Sequence, residues 1–108
     1  MATKEDLRRL ALALPGTCEA AHFDRTAYRV ARIYVTTDGR SANFKFAPEE
    51  QEFACMMAPQ AFAPVPNAWG KQGWTTADLA KLSAAELEKA LATAWAHAQP
   101  RKGTRRRR

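Results

Sequence analysis

Cys18, Glu19, His22 and Asp24 crowd into one short run of this 108-residue chain. All four are metal-ligand types, and a thiol with an imidazole could also serve as nucleophile and base. The Cys-x3-His spacing suits a helix face, but the run follows Pro15-Gly16 and has no second ligand pair of the kind a structural zinc requires. No metal or other cofactor is expected. His22, beside Phe23, reads as a packed or hydrogen-bonded loop histidine. With two histidines in all, no Gly-rich phosphate loop, no paired-His motif and no Rossmann signature, the sequence is not expected to be an enzyme. Cys18 with His22 is the single catalytic-type pair to check.

A second stretch with chemical potential is Ala68-Trp69-Gly70-Lys71-Gln72-Gly73-Trp74. Two tryptophans flank a basic segment bounded by glycines, which permit positive φ. It reads as a hairpin tip with Lys71 at the apex. The indoles either close the core of a small sheet or present an aromatic, basic surface to a ligand.

The remaining chemistry is cationic. Net charge is +6, with 17 Lys and Arg against 11 acidic residues. Arg101, Lys102, Arg105, Arg106, Arg107 and Arg108 account for the whole excess, so residues 1–99 are formally neutral. The basic pI therefore belongs to the segment after Pro100, which reads as a structureless tail, either solubilising or phosphate-contacting. Within residues 1–99, Arg29, Arg32, Arg40 and Lys45 sit around a strand meander. Cys18 and Cys55 are too far apart for a C-x-x-C motif and read as free, mostly buried thiols. No apolar run approaches the ~20 residues of a membrane span, and the N-terminus has no signal-peptide character, so a cytoplasmic protein is expected.

These residues must be positioned by one domain, 1–99, with the basic tail at 100–108. Thr3 and Asp6 form an imperfect capping box, and Leu7, Leu10, Ala11 and Leu14 make one apolar stripe, which predicts a helix over 3–14 stopped by Pro15-Gly16. Residues 17–25 read as a connector. Three strands follow: 26–30, with Tyr28 and Val30 on one face; 33–37; and 41–46, with Phe44 and Phe46 inward. Asp38-Gly39 is a strong hairpin signal. Pro48 with Glu49 and Glu50 opens a second helix whose Phe53, Met56 and Met57 are expected in the core. Strands near Val65 and over 74–77 flank the Trp segment. Ser83 and Glu86 make a capping box for a helix to about Ala98, whose Trp95 should lock it onto the sheet, while His97 complements the helix dipole.

The element order is α-β-β-β-α-β-β-α. Together with the Leu14-Pro15-Gly16-Thr17-x-Glu19 corner, Asn43-Phe44-Lys45 followed by Pro48-Glu49, and Gly73-Trp74 before a last helix, it resembles the MmcQ/YjbR family of small bacterial proteins over residues 4–99. The resemblance implies an α+β, two-layer fold: an antiparallel sheet, here of about five strands, with helices packed on one side. It also implies DNA binding by a double-wing arrangement of hairpins, and no catalytic residue. Two readings follow. In one, Arg29, Arg32, Arg40, Lys45, Lys71 and the tail cations contact the phosphates of DNA without sequence preference. In the other, a sheet face carrying Tyr28, Trp69 and Trp74, with Phe62 and Met57, binds a protein or small ligand, anchored by Arg29 or Lys45.

Overall fold

The computed structural model describes residues 1–100. Each long helix begins where a side chain can satisfy the orphan N–H groups of its first turn. In α1 (Lys4–Ala13), Thr3 Oγ1 accepts from the Asp6 N–H at 3.2 Å and Asp6 Oδ2 accepts from the Thr3 N–H at 3.1 Å. In α4 (Ala84–His97), Ser83 and Glu86 make the same exchange at 3.0 and 2.8 Å. In α2 (Pro48–Met57), Pro48 supplies a preset φ and Glu50 Oε1 reaches back to the Ala47 N–H at 2.7 Å. Leu7 and Ala11 of α1 and Leu87, Leu91 and Ala94 of α4 face inward, as the apolar stripes require.

The strands are β1 (Cys18–His22), β2 (Arg25–Arg29), β3 (Ile33–Thr37), β4 (Ser41–Lys45), β5 (Phe62–Pro64) and β6 (Trp74–Asp78). They form one antiparallel sheet in the order β1-β2-β3-β4-β6-β5, with the helices on one side. The expected α+β, two-layer class holds, with six strands rather than five. The sixth is β1, expected to be a connector. It pairs along its full length with β2, from Cys18↔Arg29 to His22↔Arg25, around a turn in which Phe23 takes φ 61°. Its sequence, Cys-Glu-Ala-Ala-His, has neither β-branched nor aromatic residues, so pairing and not propensity makes it a strand.

Three further expectations are corrected. The Trp segment is not a simple hairpin tip: residues Ala68–Lys71 form a short helix, α3, between β5 and β6. Lys71 ends that helix and is not an apex, and of the two glycines Gly73 alone takes a positive φ, +106°. Phe53, Met56 and Met57 are not in the core; they are 59%, 66% and 65% exposed, and α2 has no buried residue. Cys18 is exposed, while Cys55 is half-buried with its thiol pKa pushed up by that burial. Trp95 packs against the core and donates from Nε1 to Pro15 O at 2.9 Å, which ties α4 to the corner after α1.

One irregularity matters for function. Tyr28 pairs with Val35 but Arg29 pairs with Ile33, so Tyr34 is the extra residue of a β-bulge. Tyr34 and Val35 are both fully buried, and the Tyr34 hydroxyl bonds Thr17 Oγ1 at 2.9 Å and Ala11 O at 3.4 Å. Past the bulge the alternation resets, which brings Arg29 and Ile33 to the same cavity at the end of the sheet.

The β3–β4 turn is an acid-sensitive point. Asp38 Oδ1 accepts from the Ser41 and Arg40 N–H groups, each at 2.9 Å, and its other oxygen faces Arg25 at 3.7 Å. The bonds from Ser41 and Arg40, then the Arg25 charge, hold this carboxyl below its ordinary value of 3.8. The resulting stability is fully present above that ordinary value and is lost as pH falls through the lowered folded-state value. Thermal melts between about pH 5 and pH 2 should therefore show a decline for the native chain that is shallower in Asp38→Asn.

Candidate functional site

Four strand ends meet at one end of the sheet: β2 finishes with Arg29, β3 begins with Ile33, β4 finishes with Lys45 and β6 begins with Trp74. Arg29↔Ile33 and Lys45↔Trp74 are register partners. The C-terminal end of α4 closes the space with His97 and Ala98, and the β2–β3 turn adds Ala31 and Arg32. The result is an open cleft of about 460 Å³. The β2–β3 and β5–β6 connections both lie at this end, on either side of the end of β4.

The cleft has three cations and no carboxylate among its lining residues. Among the described residues the ion pairs are Arg8–Glu19, Arg9–Asp6 and Arg25–Asp38, so none engages Arg29, Arg32 or Lys45. Arg32 Nη2 donates to His97 O at 2.8 Å and to Gln99 O at 3.5 Å, which places its charge at the negative end of the α4 dipole. Arg29 makes one long bond, to Ala31 O at 3.4 Å, and Lys45 Nζ one to Phe46 O at 3.5 Å. Burial, and then the Arg32 charge, push the Lys45 pKa down; Glu50 offsets part of this. Positive charge is thus gathered where the protein itself supplies little compensation, and an anion entering the cleft would relieve that. Half-buried Trp74 and Ile33 add an apolar wall beside these cations.

Of the residues singled out in the sequence, Arg29, Arg32, Lys45 and Trp74 come together here. Lys71 is exposed on α3, in the connection flanking the cleft. Arg40 is exposed at the opposite end of the sheet, in the β3–β4 turn. Arg101, Lys102, Arg105, Arg106, Arg107 and Arg108 lie outside the described residues. The described chain ends at Pro100, two positions past Ala98 in the cleft wall.

The aromatic face expected from Tyr28, Trp69 and Trp74 is not assembled. Tyr28 is 2% exposed and donates to Glu19 Oε2 at 2.8 Å, while Trp69 is 57% exposed on α3. Phe62 is buried beneath a different groove, which Met57 lines as well. Cys18 and His22 occupy opposite ends of β1, roughly 13 Å apart at ~3.3 Å per residue, too far to act as nucleophile and base. Among the described residues no three His, Cys, Asp or Glu side chains gather to hold a metal ion. Sequence reasoning missed the roles of Ile33, Ala31 and the α4 terminus. Contacts between Arg32 and the His97 and Gln99 carbonyls span more than sixty positions, and no local pattern signals them.

Fold and cleft define a small two-layer α+β domain with a cationic cleft at one end of its sheet. The chain belongs to the YjbR family, whose model matches residues 12–97. It is also similar to the crystal structure of Deinococcus radiodurans protein DR2400, a DUF419 domain, at 25% identity and a TM-score of 0.77, covering 98% of this chain and 83% of that one. No curated protein matches the sequence. Among the described residues, no helix is long and apolar enough to cross a membrane.

Proposed function

We propose that this protein is a non-enzymatic, cytoplasmic DNA-binding domain that takes backbone phosphates in the cleft formed by Arg29, Arg32 and Lys45. The observation that carries the reading is the convergence of these three cations, from β2, the β2–β3 turn and β4, in a cleft without an acidic residue. Phosphate oxygens would accept from the guanidinium and ammonium groups, and Trp74 offers a face against which a base or sugar could pack. Such contacts read charge and backbone shape, so little sequence preference is expected. Lys71 and the basic segment after Pro100 would extend the contact. The β2–β3 and β5–β6 connections would act as the two wings, flanking the strand that enters the cleft.

The test is DNA affinity as a function of salt, for the full chain and for residues 1–99. Three phosphate contacts should give residues 1–99 a log–log slope of roughly −2.7, and six more cations should steepen the full-length slope by up to about 5. A slope near zero for residues 1–99 would overturn the role of the cleft and leave the tail as the DNA-contacting part. The position of Trp74 opposite Lys45 favours a second reading, a small aromatic anion in the same cleft. That reading would gain if residues 1–99 bound a mononucleotide as tightly as an oligonucleotide.

A further inference from the structure

The apolar C-terminal half of α2 is turned the unexpected way. Phe53, Met56 and Met57, at i, i+3 and i+4, face solvent, while the smaller Ala54 and Ala58 pack against the core. Phe53 and Met57 overhang a groove of about 540 Å³ between α2 and α4, within the ~300–1,000 Å³ range of ligand sites. Its floor is aromatic: Phe46 and Phe62, buried, with ring centroids 6.3 Å apart. Its rim is acidic. Glu49 and Glu50 stand on one wall and Glu86 on the other, with Lys89 the single cation among the lining residues. Glu50 and Glu86 each use Oε1 to cap their own helix, and no ion pair among the described residues engages the groove carboxylates.

We propose that this groove is a docking site for an amphipathic helix of a partner protein, apolar along one face and rich in Lys or Arg at its flanks. The apolar floor, with Phe53 and Met57, would receive the partner's Leu-like anchors. The three carboxylates would pair with its flanking cations and fix its direction. Charge also decides against other occupants. Nucleic acid would meet carboxylates. A second copy of this chain, docked groove to groove, would set glutamates against glutamates across a two-fold axis. The proposal stands on α2 and α4 and does not depend on the nucleic-acid reading.

The experiment uses the full chain and two labelled helical peptides of about 14 residues, with leucines at i, i+3, i+4 and i+7 and the other positions lysine in one and glutamine in the other, a neutral control that the cationic cleft does not attract. Fluorescence anisotropy at near-physiological salt should show the Leu–Lys peptide bound at least about tenfold more tightly than the Leu–Gln peptide. Phe53→Ser with Met57→Ser should weaken Leu–Lys binding about tenfold or more, and Glu49→Lys with Glu86→Gln by several-fold. Because Phe53 and Met57 are exposed, the first pair should melt like the parent chain. Equal affinity for the two peptides, or indifference to Phe53→Ser with Met57→Ser, would overturn the proposal. So would a concentration-dependent dimer, by sedimentation, that Phe53→Ser abolishes, because the occupant would then be a second copy.

Discussion

Gly73→Ala should cost the domain about 3 kcal/mol or more, a large fraction of the stability of a chain this size. Gly73 sits at φ +106°, where an L side chain is strained. A Cβ there would also fall on the Phe46 carbonyl oxygen, well inside van der Waals contact, and 3.0 Å from the Phe46 carbonyl carbon. Neither partner can yield cheaply. The Phe46 N–H donates to Gly73 O at 3.2 Å, and Thr75 Oγ1 donates to the same oxygen at 2.9 Å. The Phe46 ring stacks on Phe44, with centroids 5.7 Å apart, inside the core. Withdrawing the backbone therefore opens the β4–β6 junction, and with it the Lys45–Trp74 edge of the cleft. Gly39→Ala isolates the strain alone: φ there is +100°, but the nearest atom to a new Cβ is the flexible Lys4 Cδ at 3.4 Å. That substitution should cost about 1 kcal/mol. Urea unfolding of the two variants separates the effects. Equal losses would mean that the β4–β6 approach is looser than the structure has it.

The parts of the fold that local chemistry specifies were readable in the sequence. Thr3 with Asp6 and Ser83 with Glu86 mark helix starts because the capping partners lie three residues apart. Asp38-Gly39 marks its turn for the same reason: Asp38 bonds Arg40 and Ser41, its near neighbours. The misses share a different cause. β1 becomes a strand because β2 is there to pair with it. α2 presents Phe53 and Met57 outward because the space beneath suits Ala54 and Ala58; periodicity identifies an apolar stripe without saying which side meets the sheet. The Trp segment turns on Gly70, which is buried and whose α-carbon lies against the Val65 carbonyl, a contact between backbones that composition does not encode. For the cleft, the candidates Arg29, Arg32, Lys45 and Trp74 were visible as residue types, but their convergence was not. It depends on the Tyr34 bulge resetting the face of Arg29 and on α4 ending beside Arg32.

If that convergence is what binds phosphate, neutralising two of its members should matter far more than neutralising cations elsewhere. Arg29→Gln with Lys45→Gln, made in residues 1–99, should weaken DNA binding about thirtyfold near physiological salt and flatten the salt slope by about 2. Arg32 is left in place because it also holds the carbonyls at the end of α4, and its loss would confuse binding with folding. The paired substitutions carry little such risk: Arg29 is exposed with one long bond, and Lys45 holds its charge against burial and Arg32. Removing the Lys45 ammonium should leave the domain as stable as before or slightly more so, since an unfavourably placed charge disappears. Arg40→Gln is the matched control, one charge removed at the far end of the same sheet. Its expected effect is at most about twofold, because at the ~8 Å screening length of physiological salt it lies out of reach of the cleft. Lys71→Gln, in the flanking connection, should fall between the two. A graded series, from Arg40 through Lys71 to the Arg29–Lys45 pair, would locate the phosphate contacts in the cleft. Equal losses per charge at all positions would instead mean that net charge alone drives binding, and the cleft would then belong to a different ligand.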